Sequence, residues 1–355
     1  MGRWGVARRD RALAIAGGRP LVTADPASVS WLTGLAVEIE WGPNPFAVPP
    51  VAILEPGGRV VAVVSADEAP GLAADVEALT YPGFAVEDVD RPGASLDLVL
   101  QALPDGALAV ELASLPGTLV RALGSRELVD VDLRPARAIK DPDELEAIRA
   151  ALRVADAGQA AARASFRAGA TELELWAETR AAMEQAAGAR VPVLADFVTG
   201  PRTAEVGGPP SERRVEPGDL LLVDLVPRVG AYWGDSCATV ALGDPPEPVK
   251  RAHAAALEAL EAAKAAIRPG ATGDEVDRAA REISGSYPHH TGHGLGLALH
   301  EEPRIIPGSQ RVLEPGMVVA LEPGAYGDGW GVRTEQVVLV TDSGHELLSG
   351  HDLRL

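Results

Sequence analysis

The sequence predicts an α/β (α+β) protein in two parts. A small N-terminal α/β domain covers residues 1–137, and a larger C-terminal domain covers 138–355 and carries an internal pseudo-two-fold repeat. Three observations predict this. Strand-like and helix-like runs alternate from about residue 20 to 135. A polar, proline-marked stretch, Arg134-Pro135-Ala136-Arg137-Ala138-Ile139-Lys140, then leads directly into a strong helix start. Beyond it the chain repeats itself at an offset of about one hundred residues.

In the first part, Val51 to Leu54 and Val60 to Val64 flank the turn Glu55-Pro56-Gly57-Gly58 and read as a strand pair. Asp67 to Leu79 reads as a helix, Leu108 to Leu112 as a strand and Pro116 to Leu123 as a further helix. The boundary falls near residue 137 because Asp141-Pro142-Asp143-Glu144 supplies an acidic N-cap, proline at the first helical position and glutamate at the third. Leu145, Ile148, Leu152 and Ala155 then recur at helical spacing.

The repeat is carried by two matched pairs of segments. Arg167-Ala168-Gly169-Ala170-Thr171-Glu172-Leu173-Glu174 resembles Arg268-Pro269-Gly270-Ala271-Thr272-Gly273-Asp274-Glu275, each a helix end followed by a threonine-capped helix with glutamate three residues on. Val215-Glu216-Pro217-Gly218 followed by Asp219 to Asp224 resembles Leu313-Glu314-Pro315-Gly316 followed by Met317 to Glu322, each a turn, a buried strand and a carboxylate. Two matches in the same order favour duplication, with each half formed by two helices and antiparallel strands. Packing about a pseudo-two-fold axis would let Asp224 and Glu322 converge.

The chain has 355 residues, 32 basic and 51 acidic side chains and a formal net charge of −19. With 46% hydrophobic and 23% charged residues it can bury a sizeable core, which excludes disordered and collagen-like classes. The negative charge argues against nucleic acid and anionic membrane surfaces as partners. No apolar run approaches the roughly 20 residues that span a bilayer, and the segment after Asp10 is too short and glycine-rich for a secretory leader, so a cytoplasmic location is expected. Cys237 is the single cysteine, which excludes an intramolecular disulfide and a thiolate cluster. A metal would have to sit on His, Asp or Glu.

Five such groups interrupt or end apolar runs: Asp224, Asp235, His293, Glu322 and Glu335. A carboxylate in place of a core side chain is costly unless paired with a cation. Asp235 follows Asp224 by 11 residues and Glu335 follows Glu322 by 13, the spacing of a return strand in a hairpin. Hard oxygen ligands with one imidazole suit two divalent ions such as Mn²⁺, Co²⁺ or Zn²⁺ better than a structural zinc. Two ions about 3.5–4 Å apart acidify a shared water and suit hydrolysis of an amide. Solvated strand ends and a core histidine are the plainer alternative. His293 stands within His289-His290-Thr291-Gly292-His293-Gly294-Leu295-Gly296, where glycine permits close backbone approach, and His290 and His300 flank it as candidate substrate contacts.

These residues resemble the pita-bread metallopeptidases, a group that includes prolidase, aminopeptidase P, methionine aminopeptidase and the metal-free creatinase. Trp31-Leu32-Thr33-Gly34 resembles the marker of the creatinase-type N-terminal domain and points to the proline-specific branch. The resemblance implies a creatinase-like domain over 1–137 and a catalytic pita-bread domain over 138–355. It implies that Asp224 binds one metal, that His293 and Glu322 bind the other, and that Asp235 and Glu335 bridge them. Glu322 would also take the proton of the attacking water, and His300, with His290 beside it, would bind substrate and stabilise the oxyanion. Arg333 would orient Glu335 or meet a substrate carboxylate.

The implied activity is cleavage of the Xaa-Pro bond in short proline-containing peptides by a homodimer. A dipeptidase is expected. The alternatives are an aminopeptidase P, a creatinase-like C–N hydrolase and a non-catalytic relative. Three departures stand out. The family's substrate-contacting histidine, seven residues after a Ser/Thr-Gly pair, is here Gly207. Cys237-Ala238-Thr239 stands where many members have Thr-Arg-Thr, and Gln336 follows the last glutamate in place of aspartate. None removes a metal ligand. His253, His289, His345 and His351 read as surface or structural groups, and Cys237 as a small core residue.

Overall fold

Apolar strands separated by capped helices build two units, residues 1–137 and 138–355, in a computed structural model that describes residues 5–39, 48–84 and 90–355. The first unit contains α1 (Val6–Ile15), β1 (Leu21–Thr23), α2 (Pro26–Thr33), β2 (Val51–Leu54), β3 (Val60–Ser65), β4 (Glu77–Tyr81), α3 (Arg91–Ala102), β5 (Leu108–Val110), α4 (Gly117–Leu123), β6 (Leu128–Asp130) and the single turn α5 (Arg134–Arg137). Among the described residues its six strands form one mixed sheet in the order β4-β3-β2-β1-β5-β6. Val22, Ile53, Val61, Val63, Leu108 and Val110 are buried in one cluster with Val99 of α3 and Leu119 of α4. The expected pair of strands β2 and β3 is present and antiparallel.

One element differs. Residues 67–79 do not form a helix: Ala69–Gly71 is a short 3₁₀ turn, and Glu77–Tyr81 is a strand parallel to β3. Pro70 and Gly71 break the helical run, and the free edge of β3 gives the β-competent residues Leu79, Thr80 and Tyr81 a ladder to join.

The second unit begins with α6 (Pro142–Ser165). Its capping box has Glu144 Oε2 accepting from the backbone N–H of Asp141 at 3.0 Å. Ile148, Leu152, Ala155 and Ala162 are buried along one face of α6. There follow α7 (Glu172–Ala187), β7 (Val193–Thr199), β8 (Leu220–Val229), β9 (Tyr232–Trp233), β10 (Ser236–Ala241), α8 (Glu247–Ala266) and α9 (Gly273–Ser284). The chain ends with β11 (Gly292–Gly294), β12 (Glu301–Ile305), β13 (Val318–Leu321), β14 (Gly324–Gly327), β15 (Trp330–Arg333), β16 (Gln336–Val340) and β17 (His345–Leu347).

The duplication read from the sequence is visible in the strand order. One sheet runs β10-β8-β7, and the other contains β16-β13-β11 in the equivalent positions. Both threonine-capped helices have complete capping boxes, Thr171 with Glu174 and Thr272 with Glu275. Each sheet is covered by its own helix pair. Val154, Leu175 and Met183 pack on Leu221, Val223 and Leu225, while Leu260, Val276 and Ala280 pack on Val319, Leu321 and Val338. Burying each leucine, valine or methionine among these contributes about 1.5–3 kcal/mol.

The helices also reach the strand segments that carry the acids. Gln159 Nε2 donates to Val223 O at 3.1 Å and to Ser236 O at 2.9 Å, one residue away from Asp224 and Asp235 respectively. The two sheets meet where Glu335 N donates to Cys237 O at 2.9 Å.

Candidate metal centre

Each acidic group of interest sits at a fixed point of a strand ladder. Asp224 lies within β8, in register with Cys237 on β10 and with Asp196 on β7. Asp235 and Glu335 immediately precede β10 and β16, and Glu322 immediately follows β13. His293 is the central residue of β11, held between β12 and β13. Glycine flanks it because a Cβ at 292 would lie 2.1 Å from Ala320 O and one at 294 would lie 2.1 Å from Glu302 O. Only glycine lets three strands close on this histidine.

The eight residues expected at the site, Asp224, Asp235, His290, His293, His300, Glu322, Arg333 and Glu335, all line one cavity of about 360 Å³. His293 Nε2 is 3.5 Å from Asp235 Oδ2 and 3.6 Å from Glu322 Oε1. Its Nδ1 donates to Gly294 O at 2.9 Å, which turns Nε2 toward the carboxylates. Asp235, His293 and Glu335 bring ligand atoms within 4.8 Å of one another, and so do His290, His293 and His300. His290 Nε2 lies 2.7 Å from Glu322 Oε1, and the His293 and His300 rings are 4.3 Å apart.

Two atoms test whether this donor set suits a cation. Asp224 Oδ1 and Glu335 Oε1 are buried and accept no hydrogen bond among the described residues. A buried carboxylate oxygen without a donor is costly, and a metal ion supplies the missing partner. The electrostatics agree. Burial first, then the neighbouring carboxylates, pushes Asp224 and Glu335 well above the ordinary carboxylate range and raises Asp235. Burial disfavours a charged His293, but Asp235 and Glu322 outweigh it and lift this imidazole to about 9. Burial works against an ionised Glu322 as well. The His290 hydrogen bond, then Arg333 and His293, overcome it and bring Glu322 to about 2. The donor set therefore stabilises positive charge at its centre.

Arg333 departs from expectation. It does not contact Glu335. Its Nη2 donates to Asp224 Oδ2 at 2.6 Å and to Asp196 Oδ2 at 3.2 Å, its Nη1 to Val206 O at 2.8 Å, and its Nε to Cys237 Sγ at 3.3 Å. Arg333 ends β15, whose backbone is tied to Thr239 of β10, and this register aims the guanidinium across the first sheet. The side chain is 3% exposed, and its shortest bond goes to Asp224 rather than to Glu335.

His289, expected to be a surface or structural group, lines the same cavity. Its Nδ1 donates to His290 O at 2.8 Å, so its Nε2 accepts from the Tyr326 hydroxyl at 2.9 Å. Burial drives this imidazole down to about 4, which keeps it neutral. Packing around His300, then the charges of His293 and His290, lowers that ring to about 4 as well, although its outer edge is open to solvent. Asp196, passed over in the sequence, lines the cavity too. The one signal for it was an acid inside an otherwise apolar strand.

Residues 146–342 match the model of metallopeptidase family M24. The chain belongs to this metallopeptidase family and is a hydrolase. It is 34% identical over 270 residues to a probable dipeptidase, PepE, of Mycobacterium tuberculosis, covering 72% of this chain and 71% of that protein. It is 36% identical over 229 residues to the Xaa-Pro dipeptidase of Pyrococcus furiosus, covering 62% of this chain and 66% of the relative.

Among solved structures, the prolidase of Pyrococcus horikoshii superposes with a TM-score of 0.82 at 26% identity over 99% of both chains. The dipeptidase PepE of Mycobacterium ulcerans gives 0.79 at 29% identity, over 100% of this chain and 99% of that one. The fold is thus the pita-bread fold with its additional N-terminal unit. Among the described residues no helix is long and apolar enough to cross a membrane.

Proposed function

We propose that this chain is a dinuclear-metal dipeptidase that hydrolyses the Xaa-Pro bond. The observation that carries the reading is the pair of unpartnered buried oxygens, Asp224 Oδ1 and Glu335 Oε1, beside Asp235, His293 and Glu322. The names of the relatives, a probable dipeptidase and an Xaa-Pro dipeptidase, support the substrate class.

In this reading Asp224, His293 and Glu322, with Asp235 and Glu335 as shared ligands, would hold two divalent ions. Bound there, two divalent ions supply an acidified water and polarise the scissile carbonyl. The rest is done by the protein. Glu322 Oε1 is engaged by His290 Nε2, which leaves Oε2 to accept the proton released on attack. The neutral His300 imidazole donates an N–H to the carbonyl oxygen as charge develops on it, a contact that strengthens in the transition state. Arg333 holds Asp224 in one rotamer.

The test is hydrolysis of Ala-Pro, Ala-Pro-Ala and Ala-Ala by protein stripped of metal and resupplied with Mn²⁺, Co²⁺ or Zn²⁺. Metal-dependent cleavage confined to Ala-Pro is expected. Preference for the tripeptide would make the enzyme an aminopeptidase P. Cleavage that survives chelation, or none with any metal, would overturn the reading.

A further inference from the structure

Position 207, where the sequence departs from the family's substrate-contacting histidine, has its space taken by Asp196. A Cβ at 207 would lie 2.0 Å from Asp196 Oδ2 and 2.2 Å from its Cγ. Gly207 is not among the glycines with positive φ, so backbone conformation does not require it. Clearance for the carboxylate does. Where the resemblance implies an imidazole from one segment, this site presents an anion from the neighbouring strand.

Asp196 stands opposite Asp224 in the antiparallel pairing of β7 and β8, and Leu194 stands opposite Val226. Residues two apart share a face of a strand, so the acidic pair and the apolar pair are adjacent on one surface. All four line the cavity. Asp196 Oδ2 takes the longer of the two bonds from Arg333 Nη2, and its Oδ1 accepts none among the described residues. The side chain is 37% exposed, against 15% for Asp224. One guanidinium thus serves three carboxylates, Asp196, Asp224 and Glu322. Asp196 is the one outside the proposed ligand set, so no metal would neutralise it.

We infer that Asp196 sets the charge preference of this cavity by accepting the cationic side chain of a basic first residue. Substrates of the Lys-Pro type are then favoured over neutral ones of equal length. The inference rests on the dipeptidase reading. Leu194 and Val226 give the methylene stem an apolar wall, and the free carboxylate oxygen takes the ammonium in a charge-assisted hydrogen bond. Lysine, with an apolar stem and a charged tip, fits that sequence of surfaces.

The experiment compares kcat/KM for Lys-Pro and Met-Pro in the metal-loaded wild type, Asp196→Asn and Gly207→Ala. Read as a ratio, any common loss transmitted through Arg333 cancels. The wild type should favour Lys-Pro about tenfold, the scale of one charge-assisted hydrogen bond at a part-exposed site. The ratio should fall to near one in Asp196→Asn, and should fall in Gly207→Ala, whose methyl displaces the carboxylate. A wild-type ratio near one, or a ratio unchanged in Asp196→Asn, overturns the inference; the second result would assign Asp196 to the α-ammonium or to support of Arg333.

Met-Pro turnover by the wild type tests the dipeptidase reading separately. If neither peptide is cleaved, calorimetric titration of both into chelator-treated wild type and Asp196→Asn decides the inference. Equal affinity for the two peptides in the wild type overturns it.

Discussion

Arg333 and Asp224, 109 residues apart in the chain and on opposite halves of the duplicated unit, are joined by a 2.6 Å hydrogen bond from Nη2 to Oδ2. The bond leaves Asp224 Oδ1 as the oxygen without a donor among the described residues. It fixes the direction in which that oxygen is offered. Replacing Arg333 with Lys keeps a positive charge but loses the planar fork that also engages Val206 and Cys237. Metal affinity should fall roughly 10–100-fold, the usual effect of removing a residue that orients a ligand. Titration of the stripped protein with Mn²⁺ measures it, and a variant that binds within twofold of wild type would show that Asp224 needs no such support.

Glu322 is asked both to hold a metal and to accept a proton. Glu322→Gln keeps the shape and the contact with His290 but removes the negative charge. Turnover should be abolished while the thermal unfolding midpoint and near-ultraviolet dichroism change little. Activity near that of the wild type would sink the mechanism.

Lys140 Nζ lies 2.6 Å from Glu301 Oε2, with both side chains 2% exposed, and Glu301 Oε1 accepts from Ala298 N at 2.9 Å. This pair pins the turn that precedes β12 and carries His300. Lys140→Met leaves an unpaired buried carboxylate and should cost about 3–5 kcal/mol, read from denaturant midpoints. The double variant Lys140→Met/Glu301→Leu should regain most of that loss. A single variant as stable as wild type would mean that water reaches Glu301.

His253 of α8 is 5% exposed, and burial, followed by the nearby Arg163 charge, holds its imidazole below the ordinary 6.5, against a partly offsetting backbone hydrogen bond at Leu353. The unfolded chain therefore binds this proton more readily than the folded one. The resulting stability is present above about pH 6.5 and is lost as pH falls from there through the folded-state value. His253→Met should flatten that part of the stability curve. Parallel curves for the two proteins between pH 7 and 5 would refute the assignment.

Much of the site was legible because the chemistry leaves a mark in one dimension. A carboxylate inside an apolar strand is expensive, so Asp224 and Glu322 stand out, and the hairpin spacing recovers Asp235 and Glu335. Gly292 and Gly294 mark His293 through the packing of three strands. Other features left no such mark. Residues 67–79 carry the composition of a helix, but the free edge of β3 turned their end into β4. The partner of Arg333 depended on the register of β15 against β10, and two positions along the chain suggested Glu335 where the fold chose Asp224.

The sequence by itself determined the duplication, the capped helices, the five candidate ligands and the family resemblance, because caps, turns and buried charges are local and their spacing survives without coordinates. Tertiary structure alone decided which carboxylate Arg333 serves, that His289 faces the cavity beside Tyr326, and that Asp196 fills the space left at Gly207. Each of these depends on the distance between side chains from different strands. That distance is fixed by sheet register and by the meeting of two sheets at Cys237 and Glu335, which no single stretch of chain encodes.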